Sequence, residues 1–427
     1  MRRRESAIGD GMPAFDSPLF VGRPWLPDRE PLLALIGDVL DSGQISNGGP
    51  RVAELERRVA ALHEVRHCVA TCNGTLALEL MLQAAQLTGE VVIPSFTFIA
   101  TAHAVSRAGL TPVFADVNPL THNLDPEAVE RVVTPRTSAI LGVHLWGRPC
   151  DIVGLSAVAE RHVLQLLFDA AHGFGCSYRG RMLGGHGRAE AFSFHATKFF
   201  HTIEGGAVMT DDDDLAESVR HQRNFGFAGS LDSVMVGGNA KLNEICAAVG
   251  LSQLDGLDEL AAINRRRHAL YRHELQGISG LHVVDYPNEE RSNYHFVPLE
   301  VDAEATGVGR DDLLAHLLGE NVIARPYFSP PCHRASVYRD LRTGGLEATE
   351  QLASRTLALP TGPAVSLQDV RTVCDLIRSA VSRARSTRRV HHGSSRQIES
   401  TNGRIPTARA RREPRRDVPL VEHFEER

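Results

Sequence analysis

The chain lacks several features, and each absence removes a class of function. No run of eighteen apolar residues occurs, so no segment reads as a membrane-spanning helix. Seven cysteines (Cys68, Cys72, Cys150, Cys176, Cys246, Cys332, Cys374) are scattered, odd in number and free of any C-x-x-C pair. Neither a zinc site nor a disulfide framework is indicated, and no metal is expected. No G-x-G-x-x-G follows a strand pattern; the glycines of LGGHGRAE precede one, which argues against an NAD-linked enzyme. A net charge of −6 gives no reason to expect nucleic acid as the main partner. The N-terminal MRRRESAIGDGMPAFD is basic at first but has no apolar stretch behind it, so it does not read as a secretory signal, and a cytoplasmic location is expected.

Present instead is alternation. Between residues 65 and 210, CVATC, EVVIP, PVFADV, AILGVHLW, VLQLLFD, AFSFHA and GAVMTD read as strands, separated by helical patterns such as TLALELMLQAAQ. This order predicts an α/β fold, a large, mostly parallel sheet sandwiched by helices. Ahead of it, Val52, Leu55, Val59 and Leu62 fall on one helical stripe. A long helical stretch after Lys241 leads into a smaller C-terminal α/β domain. The boundaries expected are an N-terminal segment 1–30, a large domain 31–262, a small domain 263–382 and a tail 383–427. That tail holds twelve Arg against six acidic residues and has no apolar period, so it is expected to be disordered.

Aromatic residues make up only 6% of the chain, yet four Phe fall within FSFHATKFF (192–200) around Lys198. Parallel sheets present functional groups at the carboxyl ends of their strands, and four such ends carry candidates. Asn73-Gly74-Thr75 opens a helix, where free N–H groups suit a phosphate; a plain N-cap is the other reading. Phe98 is either a stacking ring or core. Asp169 ends an apolar strand, where a carboxylate needs a cation, a hydrogen bond or a capping role. Lys198 is either a solvated charge or an amine able to condense with a carbonyl. A phosphate cradle, a stacking ring, a partner for a protonated ring nitrogen and a reactive lysine are together what pyridoxal phosphate requires.

At this point the chain, over roughly residues 40–380, resembles the fold-type-I, pyridoxal-phosphate-dependent nucleotide-sugar aminotransferases of the DegT family. The motifs carrying the resemblance are ISNGGP, ATCNGT, IPSFTFIAT, GVHLWGRP, FDAAHGFG, SFHATK with EGGAV, GGNAKLNE and RPYFSPPCH. The resemblance implies that Lys198 is the Schiff-base lysine, Asp169 the partner of the pyridinium nitrogen and Phe98 the stacking ring. It implies that His172 donates near the phenolic oxygen, and that Gly74, Thr75 and Ser193 hold the phosphate. Asn239 would reach the phosphate from a second subunit, which makes a homodimer with shared sites. Arg325, Tyr327 and Phe328 would line the sugar-nucleotide entrance. The family often has Ser-Gly-Thr where this chain has Asn73-Gly74-Thr75, which bears on the side-chain contact at 73 alone.

Within the family, the SFHATK and EGGAV wording resembles members, including the desosamine branch, that aminate C4 of dTDP-4-keto-6-deoxyglucose with glutamate as amino donor. C3-acting members tend to carry Tyr-Pro before the lysine. Two further readings compete. A dehydratase on this fold replaces the lysine with histidine, which Lys198 opposes. A sensor or binding protein would work through the Arg-rich tail, which is short, mixed in charge and poor in aromatics.

Overall fold

Seven stretches of the chain lie side by side in the computed structural model, which describes residues 12–26, 28–46, 48–229 and 232–395. They are β1 (His67–Thr71), β2 (Glu90–Pro94), β3 (Thr111–Ala115), β4 (Thr137–Val143), β5 (Gln165–Asp169), β6 (Ala189–Ser193) and β7 (Gly206–Thr210). Their order in the sheet is β1-β7-β6-β5-β4-β2-β3. From β6 to β3 every pairing is parallel, while β7 runs antiparallel to both its neighbours. The mostly parallel sheet expected from the alternation is therefore present.

Side chains alternate along a strand, so each strand feeds two cores. Val92, Ile140 and Phe168 join a core with Val52, Leu55 and Val59 of the helix Pro50–Leu62, and with the helices Pro126–Val132, Ile152–His162 and Glu244–Gln253. Val91, Ile93, Leu141 and Leu167 join a second core with the helices Gly74–Ala84, Ile99–Arg107 and Asp213–Gln222. Helices thus cover both faces, which is what unbroken apolar runs such as EVVIP require. Each Leu or Val buried this way contributes about 1.5–3 kcal/mol.

A three-stranded antiparallel sheet, β8 (Leu281–Val283), β9 (Pro298–Val301) and β10 (Thr356–Ala358), forms the C-terminal layer. Its core includes Tyr271, Leu299, Leu317, Leu357 and Val373. The expected break between residues 262 and 263 falls inside the helix Leu257–Leu275, and residues up to Arg385 group as one compact unit. The physical reason is a further core that ties the layers together: Phe96 and Trp146 from the large sheet's edge pack with Phe296, Phe328 and Leu352. The N-terminal segment is also tied in, since Leu19–Phe20 pair in parallel with Val322–Ile323.

The final helix, Leu367–Ser395, continues past Arg383, where the tail was expected to begin. The stretch from Arg383 to Ser395 lacks proline and holds Ala and Arg, good helix formers, and it extends a helix already seeded by packed residues. Residues from Ser386 onward group separately, and 396–427 lie outside the described residues. Among the described residues no helix is long and apolar enough to cross a membrane.

Candidate active site

Strand β5 ends on Asp169 and β6 on Ser193. Because β7 is antiparallel, its first residue Gly206 sits on that same edge, opposite Ser193 and Thr71. The topology thus collects groups distant in sequence at one rim.

The Asp169 carboxylate is 5% exposed. Oδ2 accepts from Thr101 Oγ1 at 2.7 Å and Oδ1 from the Ala171 N–H at 3.0 Å, so its orientation is fixed by two donors. Burial raises its pKa above the usual carboxylate value, against the pull of those bonds and of the Lys198 charge. A carboxylate so desolvated favours the arrival of a cationic partner.

Lys198 follows β6 in a loop that the surrounding aromatics hold. Phe174 stacks on Phe200 at 4.3 Å, and Phe194 meets both edge-on. The Lys198 N–H donates to His195 O at 2.8 Å, and His295 Nε2 binds the preceding Thr197 carbonyl at 2.7 Å. Lys198 itself is half-buried, and among the described residues its ammonium makes no hydrogen bond. Desolvation pushes its pKa down to about 8, with Asp169 acting in the opposite direction. Lysine and carboxylate therefore lie within electrostatic reach of each other.

The cradle lies beside them. Helix Gly74–Ala84 begins under an Asn73 N-cap, whose Oδ1 accepts from Leu76 N at 2.8 Å. Its first intrahelical bond is donated by Ala77 to Asn73 O at 3.1 Å, which leaves the N–H groups of Gly74 and Thr75 ahead of the ladder. A Cβ on Gly74 would lie 2.7 Å from Ser193 Cβ, and one on Gly206 would lie 2.7 Å from the Asn73 and Gly74 backbone. Glycine at 74 and 206 is thus what lets β1, β6 and β7 close around a small anion site.

His172 is half-buried, and its Nδ1 accepts from the Trp146 backbone N–H at 3.2 Å. Burial, with the charges of Lys198 and His295, holds its pKa well below the usual histidine value. The imidazole is therefore neutral, and its remaining proton sits on Nε2. Phe98 is 58% exposed at the start of the helix Ile99–Arg107, three residues before the Thr101 that grips Asp169. Arg325 and Tyr327 are half-buried, whereas Phe328 is 7% exposed and stacks on Trp146 at 5.4 Å. Of the two aromatics expected at an entrance, Tyr327 reaches solvent and Phe328 belongs to the core. Asn239 is exposed, and its Oδ1 accepts from Lys241 Nζ at 2.8 Å.

The residues present fit pyridoxal phosphate: two unspent N–H groups beside a serine hydroxyl, a buried carboxylate, and an amine whose pKa burial lowers. Thr101, His295 and Trp146 belong to this site and were not legible beforehand. A threonine three residues into a helix and a histidine within a strand pattern carry no distinguishing spacing. Trp146 lay in the quoted GVHLWGRP, yet nothing in that run marks its contact with His172. Among the described residues no His, Cys, Asp and Glu cluster is arranged for a metal ion.

Residues 28–378 match the DegT/DnrJ/EryC1/StrS aminotransferase family. The dTDP-4-amino-4,6-dideoxy-D-glucose transaminase of Shigella dysenteriae is 32% identical over 364 residues, covering 85% of this chain and 99% of the relative. The dTDP-3-amino-3,4,6-trideoxy-alpha-D-glucose transaminase of Streptomyces venezuelae is 35% identical over 358 residues, covering 82% and 92%. The crystal structure of DesI in the presence of its TDP-sugar product superposes with a TM-score of 0.85 at 50% identity, covering 89% of this chain and 97% of that one. With the site geometry in hand and a match over most of its length, this chain belongs to the DegT/DnrJ/EryC1/StrS family and is an aminotransferase.

Proposed function

We propose that the chain transfers an amino group from glutamate to C4 of a dTDP-4-keto-6-deoxyhexose, giving 2-oxoglutarate and a dTDP-4-amino-4,6-dideoxyhexose for deoxysugar biosynthesis. The observation that carries the reading is Lys198 within electrostatic reach of the buried Asp169, on the sheet rim that also bears the Gly74–Ser193 cradle. Bound there, pyridoxal phosphate supplies an aldehyde that condenses with amines and a ring that accepts a carbanion's electron pair. Gly74, Thr75 and Ser193 hold its phosphate, and Asn239 of a second copy completes that grip in a homodimer.

Asp169 keeps a proton on the ring nitrogen through a charge-assisted hydrogen bond, and Thr101 and the Ala171 N–H orient the carboxylate for it. Lys198 Nζ, neutral above about pH 8, takes the proton from the donor's α-carbon. The neutral His172 offers its Nε2 proton to the phenolic oxygen, and Phe98 covers one face of the ring. Arg325 and Tyr327 face the nucleotide end.

Placement of the amine at C4 is supported by the SFHATK wording and by the relative whose name puts the amine at C4. The relative whose name puts the amine at C3 keeps that position as the second reading. The test is to incubate the enzyme with glutamate and a panel of 4-keto and 3-keto nucleotide sugars, and to locate the new amine by NMR. Amine at C4, and a borohydride-fixed cofactor mass on the peptide containing Lys198, are the expected results. Comparable turnover by Lys198→Ala would remove the lysine assignment.

A further inference from the structure

Trp146 is fully buried yet has φ 63°, in the left-handed region that a bulky residue rarely adopts. Such a conformation persists when its surroundings over-determine it, and here they do. Asn123 Oδ1 accepts from Leu145 N at 3.0 Å, and Asn123 Nδ2 donates to the carbonyls of Arg148 and Pro149. Tyr286 Oη lies 3.0 Å from Trp146 O and 2.9 Å from Phe296 O, so its one proton is shared between the two carbonyls. The outcome of this turn is that the Trp146 N–H is aimed at His172 Nδ1, with the indole lying parallel to the imidazole, 16° between planes.

The indole is anchored in its turn. Its Nε1 donates to His122 Nδ1 at 3.1 Å, so the proton of His122 rides on Nε2, which lies 3.2 Å from Glu300 Oε1. Glu300 is on β9, in the C-terminal sheet. A continuous path therefore runs from the C-terminal layer, Glu300 to His122 to Trp146 to His172, into the site. Every donor in it has a single acceptor.

We propose that Trp146 is a positioning residue: its N–H fixes the Nε2–H tautomer and orientation of His172, and the His122–Glu300 pair holds Trp146 in place. The role of His172 toward the cofactor rests on the function proposed above; the relay itself rests on geometry. Trp146→Phe keeps the ring and loses the indole donor. Glu300→Leu removes the far anchor from outside the buried cluster, so it serves even if Trp146→Phe fails to fold.

The decisive experiment is histidine side-chain 15N NMR on cofactor-free protein, with the His172 signal assigned by its loss in His172→Gln. The parent is expected to show the Nε2–H tautomer alone, and both variants a tautomer mixture. In enzyme loaded with pyridoxal phosphate, both variants are expected to raise the apparent pKa of the visible absorbance by roughly one unit, since a donor to the phenolic oxygen is weakened. An unchanged tautomer and an unchanged titration in both variants would overturn the relay. Absence of any cofactor mass on Lys198 in the parent would overturn the site reading instead, whichever tautomer is seen.

Discussion

The Lys198 amine is the most consequential single group, because the fold favours its uncharged form. Its pKa in the folded chain is about 8, against an ordinary 10.5. Between those values the unfolded chain binds more protons than the folded one, so stability rises with pH across that window. Below about pH 8 the burial penalty is fully present. Cofactor-free Lys198→Met is therefore expected to be more stable than the parent at pH 7, with the gap closing between about pH 8 and 10.5, as urea unfolding at several pH values would show. An equal gap at pH 7 and pH 10 would refute the depressed pKa. Asp169 and Lys198 were legible in the sequence because each is an expensive exception in an apolar stretch. Thr101, which donates to Asp169, and His295, which holds the Thr197 carbonyl, were not, since their partners lie 68 and 98 residues away.

At the scale of elements, the cradle depends on how closely β7 approaches the start of the helix Gly74–Ala84. Gly206→Ala would place a methyl 2.7 Å from the Asn73 and Gly74 backbone, which cannot rotate aside. Overpacking of this kind costs about 1–3 kcal/mol. We expect a lower urea midpoint and a cofactor affinity reduced by a decade or more, read by denaturation and by absorbance titration. Parent-like affinity in this variant would show that the cradle does not hold the phosphate. The expected strands followed from period and β-branched content, and all seven form, within a few residues at their ends. The extent of the last helix did not follow, because composition beyond Arg383 reads as polar while packing upstream carries the helix on to Ser395.

For the whole molecule, the proposed dimer makes a sharp demand. Asn239 is exposed on its own chain, near Val234 at 56% and Val236 at 95% exposure, and the resemblance has it reach the phosphate held by a second copy. Mixing Lys198→Ala protomers with Asn239→Ala protomers should restore one intact site per mixed dimer. That amounts to about a quarter of parental activity after random exchange between two-fold dimers. No recovery in a population shown to have exchanged would count against shared sites. The sequence by itself determined the α/β class and the places of the strands along the chain, and it singled out Lys198 and Asp169 as candidates, because period and the cost of burying charge are local properties. Only the tertiary structure decided that the C-terminal layer is fused to the large sheet through Phe96, Trp146, Phe296 and Phe328, and that Trp146 faces His172. Those facts rest on contacts between segments whose separation along the chain carries no trace in either one alone.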